Sequence, residues 1–241
     1  MITKNQLLAL HLTENELIEI IAKAKRNFKI AQLDNLRHRH PNIQFDCILR
    51  GYVGEYAIVK WLGEHDIHVE AINLFVEKEG IDIDFYYKNK NIELKTSLLP
   101  DADETIANVI LRRDIKLIKR ENRIEDLRGD VHLQIYFSQK RKAKDDWLSQ
   151  QTIDIESNDN EYLYRAFKVY AYKDTTFFTA WIDKPTLIEN IKSMPQKQQT
   201  WTFSGSKRTF WSCKIQHAKA PEMLIEYLKN LADPHKVTHD T

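Results

Sequence analysis

The chain has 241 residues, with 36 Lys and Arg against 35 Asp and Glu, a formal net charge of +1. That balance excludes a bulk polycation, and 42% hydrophobic residues with six glycines and six prolines exclude a low-complexity or disordered chain. Cys47 and Cys213 make neither a disulfide framework nor a metal motif, and are expected to be reduced core residues of a cytoplasmic protein. No apolar run reaches the length of a membrane span, and 7–12, interrupted by His11, is too short for a signal peptide.

Thr13 followed by Glu16 is a capping-box pattern, and Leu17, Ile20, Ile21, Ala24, Phe28 and Ala31 recur at helical spacing. Residues 13–38 therefore predict a helix, which Pro41 is expected to end. A second helix is predicted over about 45–64. Gly51 and Gly54 lie inside it, at roughly 1 kcal/mol each relative to Ala, and suggest close backbone approach to a sheet or substrate. Residues 67–71 read as a strand. Residues 101–108 are polar and read as a loop facing substrate. Residues 109–123 read as a helix carrying Arg112, Arg113 and Lys116.

Residues 130–137 alternate cleanly, with Val131, Leu133, Ile135 and Phe137 on one face and His132, Gln134 and Tyr136 on the other. A basic run with Lys140, Arg141 and Lys142 follows. Residues 162–172 and 176–182, crowded with aromatics, predict two strands joined at Lys173-Asp174. Pro185 opens a short helix. Residues 200–215 predict a hairpin with Lys207 and Arg208 at its tip, and 221–231 a last helix. The expected fold is a single α/β domain over 1–241. It has a mixed central sheet flanked by helices, a core over about 45–137 and a β-rich C-terminal portion over about 160–231.

The most informative stretch is 80–96. Ile81, Ile83 and Phe85 share one face and Asp82 and Asp84 the other; Ile92, Leu94 and Thr96 share one face and Glu93 and Lys95 the other. Lys88-Asn89-Lys90-Asn91 supplies the turn. The polar face then carries two Asp, one Glu and one Lys. Acids on neighbouring strands repel unless a cation lies between them, and Mg²⁺ takes carboxylate oxygens while keeping waters and phosphates as its other ligands. A lysine beside such an ion suits phosphodiester hydrolysis.

Asp82 followed by Glu93-Leu94-Lys95 resembles the core of the PD-(D/E)XK nuclease superfamily, with its restriction-endonuclease-like fold. Gly80-Ile81-Asp82 is similar to the opening seen in Holliday-junction resolvases and Mrr-type restriction enzymes. The segment 51–62 resembles the acid-bearing helix that precedes the site in those families, with Glu55 in the acidic position. The resemblance covers about 51–97. It implies that Asp82 and Glu93 bind Mg²⁺ (Mn²⁺ as substitute), that Lys95 orients or deprotonates the attacking water, and that Glu55 supports the site. It also implies a helix crossing over from the E-x-K strand to the next one.

The register leaves the aspartate open. A two-residue turn at Lys88-Asn89 would set Asp84 opposite Glu93 and Asp82 opposite Lys95, favouring Asp84 as the metal partner. The Gly-Ile-Asp resemblance favours Asp82, taken here as the principal ligand with Asp84 second. The implied activity is a DNA endonuclease, a type II restriction or defence enzyme cutting double-stranded DNA as a homodimer. The alternatives are a repair nuclease or junction resolvase, and a non-catalytic nucleic-acid-binding protein. Arg112, Arg113, Lys116, Lys140, Arg141, Lys142, Lys207 and Arg208 are the candidate phosphate contacts.

Overall fold

The computed structural model describes residues 1–31, 39–71, 83–203 and 207–232. The chain folds as a mixed α/β structure. Its main sheet has six strands in the order β1-β7-β6-β4-β3-β2. The strands are β1 (Leu8–Leu10), β2 (Glu70–Ala71), β3 (Phe85–Tyr87), β4 (Lys90–Leu99), β6 (Val131–Lys140) and β7 (Thr176–Asp183). β4 and β6 pair in parallel, and the other neighbours are antiparallel. A parallel pair needs a crossover, supplied here by α3 (Ile106–Arg112) and the chain after it. A second, three-stranded sheet is built from β5 (Leu117–Ile118), β9 (Arg208–Trp211) and β8 (Thr200–Phe203), in that order.

Period-two alternation gives each face of the main sheet its own core. Phe85, Ile92, Leu94, Val131, Leu133, Ile135 and Phe137 pack beneath α1 (Glu14–Ala31), α2 (Pro41–Gly63), α5 (Asn160–Ala166) and α7 (Met223–Lys229). Tyr136, Ala180 and Ile182 belong to the other core, with α3, Leu117, Trp211 and residues of α6 (Lys184–Ser193). Among the described residues no helix is long and apolar enough to cross a membrane.

The capping box at α1 forms as read: the Thr13 amide donates to Glu16 Oε2 at 2.6 Å, and the Glu16 amide to Thr13 Oγ1 at 3.3 Å. Residues 32–38 lie outside the described residues. The end of the helix expected before Pro41 lies outside the described residues, and Pro41 opens the second helix. It stands at the start of α2, where its missing N–H removes no intrahelical bond, and His40 Nδ1 accepts from the Asn42 amide. Gly54 meets the expectation of close approach, because a Cβ there would collide with Thr96 Cγ2 on β4; Gly51 does not, since a Cβ there would meet nothing.

Three other expectations are corrected. The helix over 109–123 stops at Arg112, and the chain turns into β5, where Leu117 pairs with Trp211. Residues 162–172 form α5 and a 3-10 turn (Val169–Lys173) rather than a strand, and β7 pairs with β6 and β1 instead. Aromatic content had suggested a strand, but Asp159 caps the Tyr162 amide at 2.6 Å and starts a helix, while Leu163, Tyr164 and Phe167 bury their side chains. The C-terminal portion is therefore mixed rather than β-rich. The basic run after β6 opens another helix, α4 (Arg141–Ser149). Its Lys144 turns inward to pair with Asp46 of α2 at 2.8 Å, beside Arg50 and Tyr172. Cys47 and Cys213 are free thiols, Cys213 buried and Cys47 half-buried.

Candidate active site on the central hairpin

The hairpin turn consists of Lys88 and Asn89 alone. Both have positive φ, 44° and 61°, as a turn matched to the right-handed twist of the strands requires. Tyr87 then pairs with Lys90, Tyr86 with Asn91 and Phe85 with Ile92, and the Asp84 amide donates to the Ile92 carbonyl at 2.9 Å. Carried one step further, that register would set Asp84 against Glu93, but the Asp84 amide bonds the carbonyl of Ile92, which already faces Phe85, so the regular ladder ends at Phe85. Asp82 lies outside the described residues.

Asp84 leaves the ladder at this point. Its carboxylate takes over as acceptor for the Leu94 amide, with Oδ2 at 2.6 Å. Burial raises the Asp84 carboxyl; Lys95 opposes the rise while Glu55 and Glu93 add to it, and the group reaches about 8. Burial likewise raises Glu55, with Lys23 of α1 as the opposing charge. Glu55 was expected to support the site, and the cation that bears on it is Lys23. Its position on α2 follows from Gly54, whose lack of a side chain lets the helix settle onto Thr96.

Glu93 holds its charge by a different arrangement. Lys95 Nζ lies 2.8 Å from Oε1, and His132 Nδ1 lies 2.8 Å from Oε2. Burial alone would raise this carboxyl, but Lys95 and then His132 outweigh it and bring it down to about 2. Because the carboxylate only accepts, Nδ1 of His132 carries the proton, and its buried Nε2 has no hydrogen-bond partner among the described residues. The imidazole is fixed in place from behind: a Cβ on Gly129 would stand 2.6 Å from its Cε1. Parallel register puts Glu93 beside His132 and Lys95 beside Gln134, so all four side chains emerge on one face.

Gln134 is fully buried and bonded throughout. Its Nε2 donates to the Lys95 carbonyl at 3.0 Å and to Ser97 Oγ at 3.3 Å, and its Oε1 accepts from the Lys116 amide at 2.9 Å. Beside it the β6–β7 ladder shifts register, and Thr179 Oγ1 donates to the Gln134 carbonyl at 2.8 Å. The sequence placed His132, Gln134 and Tyr136 on one face of β6 without showing that they would be buried. Gln134 is met by the Lys116 amide just before β5, and His132 is backed by Gly129. The one legible signal was their place opposite Glu93 and Lys95 if the two strands paired in parallel.

The expected phosphate contacts divide into two groups. Arg113 is committed to the buried Asp103, at 2.5 Å, with Arg112 at 3.6 Å from the same carboxylate. Lys140 reaches the backbone carbonyls of Asp101 and Asp103, and the Lys142 amide is capped by Asp101 at 3.0 Å. Lys116, Arg141 and Arg208 instead come together at the second sheet. Lys116 Nζ stands 4.7 Å from the Trp201 ring centroid, and the Arg141 guanidinium carbon 5.7 Å from that of Phe203. Lys207 is exposed at the hairpin tip, next to residues 204–206, which lie outside the described residues.

Among the described residues no three His, Cys, Asp or Glu side chains cluster closely enough to hold a metal by themselves. Mg²⁺ needs no such cage, since one or two carboxylates with waters and substrate phosphates complete its shell. Asp84 fits that donor chemistry: it is a hard oxygen group whose proton a divalent cation would replace, with Glu93 one strand away already ionised. No protein-family model, no curated protein and no solved structure matches the chain.

Proposed function

We propose that the chain is a Mg²⁺-dependent DNA endonuclease of the PD-(D/E)XK kind, with its site at Asp84, Glu93 and Lys95. The observation that carries this reading is the Glu93–Lys95 pair at 2.8 Å with the Asp84 carboxylate bonded to the amide of Leu94 between them, where the charges of Lys95, Glu55 and Glu93 all bear on it. The chain order supports it as well. An acid-bearing helix (α2) comes before the hairpin, and a helix (α3) lies in the crossover from the E-x-K strand to its parallel neighbour, as the resemblance implies. The two-residue turn favours Asp84 over Asp82 as the partner of Glu93.

Asp84 and Glu93 would hold Mg²⁺, or Mn²⁺ in its place, and the ion would supply a polarised phosphate and an activated water. Lys95, steadied by Glu93 and half-exposed, presents its ammonium to a water or a phosphate oxygen, orienting the one and offsetting developing charge on the other. His132 holds the second oxygen of Glu93 and fixes the direction of the carboxylate. Glu55 bears on Asp84 from the α2 side and adds to the rise of its carboxyl, so a divalent cation would be favoured between the two acids. Cutting both strands of a duplex requires two such sites, which a homodimer would supply, as in a restriction or defence enzyme.

A second reading has one observation in its favour. Both oxygens of Glu93 are already engaged, by Lys95 and His132, as they would be in a nucleic-acid-binding protein that does not cleave. Supercoiled plasmid, linear duplex and a four-way junction, each with Mg²⁺ and with EDTA, separate the two. Mg²⁺-dependent cutting lost in both Glu93→Ala and Lys95→Ala is the expected result. Cutting retained in those variants refutes the site, and binding without cutting of any substrate establishes the second reading.

A further inference from the structure

The second sheet carries one face that neither core uses. Cross-strand pairing puts Trp201 with Phe210 and Phe203 with Arg208 on that face, and Ile118 of β5 lies beside Phe210. The opposite face contributes Leu117 and Trp211 to the interior, whereas Trp201, Phe203, Phe210 and Ile118 belong to neither hydrophobic core. Trp201 and Phe203 are half-buried, Phe210 between them and β5 is buried, and Lys116 and Arg141 lie over the Trp201 and Phe203 rings. Trp201 and Phe210 stack at 4.6 Å with 16° between their planes, and Lys116 lies over both.

The charge on this face is one-sided. Lys116 has no carboxylate within ion-pair distance among the described residues; burial and the like charges Arg113, Arg141 and Lys214 act against its charge, and Asp114 is the acid that supports it. Acids close by are already committed: Asp114 to Lys214 at 2.8 Å, Asp103 to Arg113 at 2.5 Å, and Asp145 lies 4.0 Å from Arg141. Flat aromatic rings interleaved with cations match a nucleic-acid strand whose bases are unpaired. The bases stack on the rings and the phosphates meet the ammonium and guanidinium groups, without sequence preference. A closed duplex has no exposed base faces to offer.

The face is also tied to the catalytic candidate. The Lys116 amide bonds Gln134 Oε1, and Gln134 Nε2 bonds the Lys95 carbonyl, so one side chain joins the second sheet to β4. We propose that the β5–β9–β8 face holds an unpaired stretch of nucleic-acid strand and leads it to Lys95. The substrate would then be duplex DNA that carries a single-stranded segment, such as a flap, fork or junction arm, in place of the closed duplex that a restriction enzyme cuts. Strand binding stands on the face alone, and delivery to Lys95 rests on the nuclease reading.

The test is fluorescence anisotropy in EDTA with a labelled twenty-nucleotide oligo-dT and a labelled duplex of equal length, across a salt series. Wild type should bind oligo-dT, and Phe203→Ala and Lys116→Gln should each weaken it about ten-fold, while duplex binding changes about two-fold or less. Trp201→Ala, checked for unchanged thermal unfolding, should behave as Phe203→Ala does. Failure of wild type to bind oligo-dT, or equal binding by all variants, overturns the proposal. Mg²⁺-dependent cleavage measured in parallel keeps the two readings apart. Binding with no cleavage of any substrate upholds the face and removes the nuclease, and cleavage with unaltered oligo-dT binding in the variants does the reverse.

Discussion

Asp84 makes the proposed metal site measurable without any substrate. Its carboxyl is held near 8 by burial and by Glu55 and Glu93, against the ordinary aspartate range near 4. A cation that binds the carboxylate must displace that proton. The ionised fraction is about 1% at pH 6, about 10% at pH 7 and about half at pH 8, so divalent-ion affinity should rise about 50-fold from pH 6 to pH 8 and then level off. The sign also holds for stability without metal. The unfolded chain releases this proton near pH 4 and the folded chain near pH 8, so between those values the folded state binds more protons. Its stability falls as pH rises, by up to about 1.4 kcal/mol per unit from this group. Mn²⁺ titration followed by the paramagnetic signal of the free ion, at half-unit pH steps, reads the affinity directly. In Asp84→Asn the pH dependence should vanish along with most of the affinity. A wild-type affinity constant within about three-fold between pH 6 and pH 8 would refute the proton competition and, with it, the role of Asp84.

Other outcomes follow from the packing. Asp46 is fully buried, and although burial alone would raise its carboxyl, Lys144 and Arg50 keep it below the usual range. Asp46→Ala leaves two cations without their anion and should cost about 3–5 kcal/mol in urea unfolding, with much of that recovered when Lys144→Met is added. Gly54→Ala pushes α2 off Thr96 and should cost about 1–3 kcal/mol, with Thr96→Ser restoring part. Glu93, lowered to about 2, contributes stability that is present above its ordinary value near 4.5 and lost as pH falls towards 2. That contribution amounts to about 3 kcal/mol, and acid unfolding of Glu93→Gln should show a correspondingly shallower dependence in that window.

How much could be read from the chain depends on whether neighbours in sequence or neighbours in space decide a feature. Alternation in 92–96 and 130–137, the Thr13–Glu16 cap and Pro185 at the start of α6 are local, set by backbone geometry and one side chain, and appear where the sequence put them, whereas the run before the turn joins the sheet only from Phe85 to Tyr87. The turn at Lys88-Asn89 was legible as an alternative, and it sets the register that pairs Phe85 with Ile92; that Asp84 would leave the ladder and accept from the Leu94 amide was not legible. The aromatic run over 162–172 misled, because bulky apolar side chains serve a strand or a helix equally well and only the Asp159 cap and the surrounding core chose the helix. Tertiary structure alone decided that His132 would be buried against Glu93, that Lys144 would turn inward to Asp46, and that Gln134 would join Lys95 to Lys116. Each is a polar group removed from water, and its partner is a residue up to about a hundred positions away. A sequence shows that such a side chain can form a hydrogen bond, but only the folded chain supplies the other half of the pair.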